Sequence, residues 1–388
     1  MSSDPHDAAP AADAAHLIAA LGDPVELTAR LCDIPSVSGD ETRLADAVAE
    51  VLAHISAGPG PDLDIRRDGD TIVAATRLGL PERVLVAGHL DTVPIEDNLP
   101  SERRTLDGAE VVWGRGACDM KAGVAMQLAT AAALRSPTRN VTWIFYDHEE
   151  VEAELNGLGR VARAHPDWLA GDFAILGEPS NAGIEGGCNG TIRVEVTTDG
   201  VRAHSARAFT GVNAIHRAAD VLTRLAEHTA ETVRVDGLDY RESLSAVGIR
   251  GGVAGNVIPD ECVVVVNYRF APAKSPAEAE EFLTAFFAPY PVRVTDCSAG
   301  ARPGLDRPAA QAFLAAIGGE PAPKLGWTDV ARFSELGIPA VNFGPGSALF
   351  AHRADEHVPC SEVVSATADL LRFLDPAQRL TPQETPLA

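Results

Sequence analysis

Three short apolar runs, each closed by a histidine or an acid, constrain this chain more than any other feature. Arg83-Val-Leu-Val-Ala-Gly88 runs into His89, Val141-Thr-Trp-Ile-Phe-Tyr146 runs into Asp147, and Phe173-Ala-Ile-Leu176 is followed by Gly177-Glu178. Uninterrupted apolar residues, many β-branched or aromatic, suit strands buried on both faces, which are found in parallel sheets covered by helices. The Ala-rich, proline-free stretch Met120–Leu134 reads as a helix between the first two runs. Strands alternating with helices define an α/β sheet. In such sheets ligands bind beyond the carboxyl ends of the strands. The polar residues that close the runs are therefore the first candidates for a site.

The pattern changes near Gly190. Thr191-Ile-Arg-Val-Glu-Val-Thr197 alternates apolar with polar, as a strand with one solvated face does. A helix over 212–228, strands near 244–251 and 262–270, a helix over 276–287 and a strand over 292–296 complete a β-α-β-β-α-β order, that of a ferredoxin-like unit. The first pattern then resumes, with a helix over 309–317, a strand over 340–343 and a last helix after Pro359. At 388 residues the chain exceeds one ordinary core. The expected organisation is a tail over 1–15, a main domain over 16–188 and 299–388, and an α+β domain inserted over 189–298.

Charge narrows the partners. The formal net charge is −23, with 55 acidic against 32 basic residues, so the surface repels phosphate backbones and anionic lipid. Nucleic acid and membrane are thus not expected partners; a small-molecule substrate is. The 6 cysteines are scattered with no Cys-x-x-Cys pair, which argues for reduced thiols rather than a disulfide framework or a structural zinc site. The first fifteen residues, rich in Ala and Asp with no Lys or Arg, lack the charged start and apolar run of a signal peptide. A cytoplasmic protein with a mobile N-terminal tail is expected.

The candidate chemistry lies in five places. His89-Leu-Asp91 follows the first buried run, and a carboxylate near a ligating imidazole commonly fixes its ring. Gly114-Arg-Gly-Ala-Cys-Asp-Met-Lys121 sets Asp119 at the start of a helix, where an Asp also serves as an ordinary cap. Glu149-Glu150 sits just past the second run; neighbouring carboxylates repel unless cations or protons intervene. Glu178 follows the third run, and Phe350-Ala-His352-Arg-Ala-Asp-Glu-His357 supplies late histidines. Imidazoles and carboxylates without thiolates at ligand spacing suit hard-to-borderline divalent ions, zinc foremost. A carboxylate shared between two ions would hold them about 3.5–4 Å apart.

The order His89-x-Asp91, Gly-Arg-Gly-x-x-Asp119-Met-Lys, Glu149-Glu150, Gly-Glu178-Pro and His352, after an opening Ile34-Pro-Ser-Val-Ser-Gly39, resembles the dizinc aminoacylase/carboxypeptidase family of metallopeptidases. The stretches 149–157, 203–211 and Asn256-Val-Ile-Pro-Asp260 extend the likeness across nearly the whole chain. The resemblance implies a zinc-peptidase-like α/β catalytic domain with an inserted ferredoxin-like dimerisation (lid) domain. It implies a homodimer through that domain. It implies two divalent ions, Zn2+ with Co2+ as an alternative, bridged by Asp119. His89 and Glu178 would complete one ion, Glu150 and His352 the other. Asp91 would orient His89, Glu149 would be the general base, and His204 would assist the oxyanion from a second subunit. Asn256, Arg269, Gly346 and Ser347 would hold substrate. The peptide bond after Asp119 is expected to be cis.

The implied reaction is hydrolysis of a linear amide, with N-succinyl-LL-2,6-diaminopimelate, a lysine and cell-wall precursor, as the expected substrate. Another deacylase or peptidase activity of the family, such as acetylornithine deacetylation, stays open, as does a non-catalytic metal-binding dimer. One departure bears on the substrate. Several bacterial members carry Arg-Arg-Gly-Ser where this chain has Cys188-Asn189-Gly190-Thr191, which removes one carboxylate partner that Arg207 would have to replace. His148, His357 and Cys118 are read as structural.

Overall fold

A computed structural model describes residues 5–378. The chain divides into two units. One comprises residues up to Glu185 with Gly304–Ala322 and the segment from Arg332 onward; the other comprises Gly186–Pro303 and Pro323–Ala331.

The first unit is built on the buried runs. Arg83–His89 lies between Asn140–Tyr146 and Phe173–Leu176, parallel to both, and Ala340–Asn342 adds in parallel beside Phe173–Leu176. A hairpin of Leu63–Asp68 and Thr71–Thr76 joins antiparallel on the other side of Asn140–Tyr146. Every residue of Asn140–Tyr146 and of Phe173–Leu176 is buried, which is why these strands carry no alternation. Helix Ala122–Ala133 packs on the Arg83–His89 strand and helix Thr42–Ser56 on the hairpin. A separate three-stranded ladder pairs Ala109–Trp113 with both Glu102–Leu106 and His357–Pro359, so two distant segments meet beside the start of the Asp119 loop.

The second unit is a four-stranded antiparallel sheet in the order Ser243–Gly251, Glu261–Phe270, Gly190–Asp199, Val292–Ser298, with helices Ala214–Glu227 and Pro276–Phe287 packed on it. This is the ferredoxin-like order. Its core is Ile192, Val194 and Val196 against Val264, Val266 and Phe270, closed by Val221, Leu283 and Phe287 from the helices. Pro276–Phe287 begins where its sequence dictates: Pro at the first turn and a capping box between Ser275 and Glu278.

Two expectations change. The segment expected as a tail is helical from Pro5, within Pro5–Ala20, and Ala14 and Leu17 are buried, since an Ala-rich stretch with two apolar positions can dock; residues 1–4 lie outside the described residues. The segment Pro323–Ala331, expected in the main domain, belongs to the inserted one. The backbone N–H of Asn189 donates to Lys324 O at 3.2 Å and the Trp327 indole N–H to Ala299 O at 3.0 Å. Among the described residues no helix is long and apolar enough to cross a membrane.

Candidate metal centre

Each predicted ligand stands just beyond a strand or at a loop fixed by one. His89 is the last residue of its strand and is buried. Its Nε2 lies 3.2 Å from Asp119 Oδ1 and 3.9 Å from Glu178 Oε1. His352 Nε2 lies 3.0 Å from Glu150 Oε2 and 3.4 Å from Asp119 Oδ2. The two imidazoles thus face opposite oxygens of the one Asp119 carboxylate. His89, Asp119 and Glu150 offer ligand atoms all within 4.8 Å of one another.

The electrostatics call for positive charge. Burial works against a charged His89, yet Asp119, Asp91 and Glu149 outweigh it and raise its pKa well above the ordinary value. Hydrogen bonds to Asp119 and Glu150 push His352 up to about 10. Burial raises Asp119, but the two histidines more than offset it and hold its pKa far below the carboxylate range. Two imidazoles ringed by Asp91, Asp119, Glu149, Glu150 and Glu178 carry a net negative charge unless cations join them. Nitrogen and oxygen donors without thiolate fit zinc or a similar divalent ion.

Asp91 does more than orient His89. The His89 ring Nδ1 is 3.0 Å from the Asp91 carbonyl oxygen and 3.5 Å from its carboxylate. That carboxylate accepts the backbone N–H groups of Glu149 and Glu150, each at 3.0 Å, and the Ser38 hydroxyl at 2.8 Å. It therefore holds the acidic pair's turn as well as the imidazole; burial opposes its charge, but His89 and the Glu150 and Glu149 N–H groups lower its pKa to about 2. The turn is reached through His148, whose φ of 57° is in the left-handed region; His352 is there too, at 65°. Non-glycine residues in that region cost on the order of 1–3 kcal/mol and gather at functional sites. The Asp119–Met120 bond is cis.

Of the residues read as structural, His148 bonds through Nδ1 to Asp147 at 2.8 Å, His357 to Asp355 O at 2.7 Å, and the Cys118 thiol donates to Ser347 O at 3.0 Å. Gly346 and Ser347 lie in the first unit, with Gly346 N–H donating to Glu362 at 2.8 Å. His204, Arg207, Asn256 and Arg269 are carried by the second unit. There His204 pairs across from Val257, and the Ser205 N–H donates to Asn256 O at 2.9 Å. Arg269 is half-buried, with Nε 3.2 Å from Asn267 Oδ1. It lines a cavity of about 250 Å³ with Asn189, Arg241 and Ser243.

Sequence reasoning missed Glu41, Glu356, Arg241 and the part Arg115 plays. Glu41 and Glu356 are buried acids that bind backbone N–H groups of the site loops: Gly39 and His148 for Glu41, Cys118 and Asp119 for Glu356. Nothing in a single sequence separates them from the many surface acids of this chain.

Comparison with known proteins gives the family. Residues 85–375 match the profile of peptidase family M20/M25/M40, and the chain belongs to that family. It is a metal-dependent amide hydrolase. Over 91% of its length it is 51% identical to a Mycobacterium tuberculosis protein provisionally named succinyl-diaminopimelate desuccinylase DapE, of which it covers 98%. It is 44% identical to succinyl-diaminopimelate desuccinylase of Corynebacterium glutamicum, covering 91% of this chain and 96% of that one. The fold is also that of the M20 family metallo-carboxypeptidase Sso-CP2 from Sulfolobus solfataricus, with a TM-score of 0.70 at 16% identity over 90% of this chain and 98% of that one.

Proposed function

We propose that the chain hydrolyses N-succinyl-LL-2,6-diaminopimelate to succinate and LL-2,6-diaminopimelate, in the cytoplasm, as a step of lysine and diaminopimelate synthesis. The observation that carries this reading is near full-length identity of 51% and 44% to proteins named for that activity, joined to a site of matching chemistry. His89, Asp119 and Glu178 would hold one divalent ion, and Asp119, Glu150 and His352 a second, zinc in both places with cobalt an alternative.

Two ions so held would polarise the amide carbonyl and bring the pKa of a water toward neutrality. Glu149 takes the proton from that water as it attacks the carbonyl carbon and returns a proton to the leaving amine. Asp91 fixes the Glu149 backbone and the His89 ring together, so base and ligand keep one spacing. His204 from a second subunit meets the oxyanion, with Asn256 brought beside it by the pairing of His204 with Val257. Arg269 binds a substrate carboxylate, a task for which a planar guanidinium is suited. Arg241, on the same cavity as Arg269, is a better replacement than Arg207 for the carboxylate partner lost in the segment Cys188-Asn189-Gly190-Thr191. Gly346 and Ser347 line the substrate near the ions.

The homodimer is supported by the second unit's free sheet edge. Among the described residues strand Ser243–Gly251 is paired on one side only, and Val247 and Ile249 on it are 59% and 54% exposed. Such an edge is normally covered or blunted. Purified protein reconstituted with zinc should release primary amine from N-succinyl-LL-2,6-diaminopimelate. Turnover of acetylornithine or dipeptides in a side-by-side panel, with none of the succinyl compound, would overturn the assignment.

A further inference from the structure

We propose that Glu356 and Arg115 form a positioning pair that fixes the distance between Asp119 and His352, and through it the affinity of the site for metal. This rests on the reading of the cluster as a metal centre. Both residues are 1% exposed, and Arg115 Nη1 donates to Glu356 Oε2 at 2.8 Å. The other oxygen, Oε1, accepts the backbone N–H of Cys118 at 3.0 Å and of Asp119 at 3.1 Å. One carboxylate therefore grips the loop that presents Asp119.

The same pair grips the His352 loop. Arg115 Nη1 also donates to the carbonyl of Arg353, the residue after His352, at 3.3 Å. Asn98 donates to that carbonyl at 3.4 Å, and the Gly114 N–H donates to the Glu356 carbonyl at 3.1 Å. These bonds continue the ladder in which Trp113 pairs with His357. Asp119 and His352 are far apart in sequence, and this buried pair ties the backbones of both loops together. A single charged pair removed from water is costly unless its remaining donors and acceptors are satisfied, and here the two site loops supply partners alongside Pro94 O, which accepts from Arg115 Nε at 3.0 Å. A buried pair placed only for stability has no need to bond both of them.

Supporting groups behind metal ligands typically change metal affinity 10- to 100-fold when lost. Glu356→Gln keeps an acceptor for the two N–H groups but sets an amide N–H against Arg115; Glu356→Ala removes the grip altogether. Metal-free parent and variants are titrated with zinc by calorimetry, with circular dichroism and thermal melting as checks of folding. Glu242→Gln is the control, since Glu242 is also a buried acid, paired with the partly exposed Lys274 at 2.8 Å in the second unit.

The expected result is zinc affinity lowered at least 10-fold in folded Glu356→Gln, with Glu242→Gln less thermostable but unchanged in affinity. Should Glu356→Ala fail to fold, Glu356→Gln decides alone. Zinc affinity within twofold of the parent in folded Glu356→Gln would overturn the inference. A parent that binds no zinc would instead overturn the metal-centre reading beneath it.

Discussion

Gly123→Ala should damage both stability and catalysis, although it places the best helix former in a helix. Gly123 lies in helix Ala122–Ala133, where Ala is favoured over Gly by about 0.8–1 kcal/mol. A Cβ at this position would lie 2.1 Å from the carbonyl oxygen of Gly177 and 2.7 Å from Met120 Cε. Carbon–oxygen contacts tighten no further than roughly 3.3 Å, so relief takes a shift of roughly 1 Å. The Met120 side chain can swing away; the Gly177 backbone cannot, because its N–H donates to Ala87 O at 2.9 Å within the central sheet. Overpacking of this kind costs about 1–3 kcal/mol, which at its midpoint outweighs the helix gain. The net loss of about 1–2 kcal/mol should lower the melting temperature by about 2–4 °C.

The catalytic effect should be larger. Gly177 precedes Glu178, and Gly123 stands at the start of the helix that follows the Asp119 loop, so the shift separates two proposed ligands of one ion. A displacement near 1 Å costs on the order of 100-fold in rate. The assay is kcat/KM on the zinc-loaded variant beside a calorimetric melt. A variant that melts higher than the parent with kcat/KM unchanged within twofold would refute the reasoning.

Other perturbations separate the remaining parts of the account. Glu149→Gln should keep the metal content of the parent and lose turnover by about 100- to 10,000-fold, the range for general acid–base catalysis; near-parent turnover would remove Glu149 from that role. Asp147 accepts from Thr71 at 2.6 Å, from His148 at 2.8 Å and from Arg160 at 2.8 Å; burial raises its pKa, but these partners outweigh it and the net shift is downward. A lowered carboxylate pKa gives stability that is present above the unfolded value and lost as pH falls through the folded one. Asp147→Asn should therefore melt below the parent at pH 7, with the difference closing below about pH 4; a gap independent of pH would contradict this. Ile249→Asp on the exposed edge strand should shift light-scattering mass toward the monomer and abolish turnover. An active monomer would exclude a contribution from His204 of a second subunit.

The fold was legible where one physical rule dominated. Fully buried strands declared themselves as apolar runs, and the start of Pro276–Phe287 followed from its capping box and proline. The hairpin at Leu63–Thr76 carries two acids and two arginines on its first strand, and its pattern of partial burial left no clear period to read. The move of Pro323–Ala331 into the second unit depends on hydrogen bonds to Asn189 and Ala299, distant in sequence and invisible in local pattern. The proposed ligands were readable because each stands at a strand end or in a recognisable motif. Glu41 and Glu356 were not, because what distinguishes them from other acids is burial against loop N–H groups, a product of tertiary packing. Asp91 was only half read: the sequence suggested its link to His89, and the folded chain adds its hold on Glu149 and Glu150.

Anomalous diffraction at the zinc edge, from crystals of the zinc-reconstituted protein, locates the ions themselves. Two peaks are expected about 3.5–4 Å apart, one against His89 and Glu178 and the other against Glu150 and His352, with Asp119 between. A single peak remote from Asp119, or no peak in a folded and fully ordered chain, would contradict a two-ion centre at Asp119.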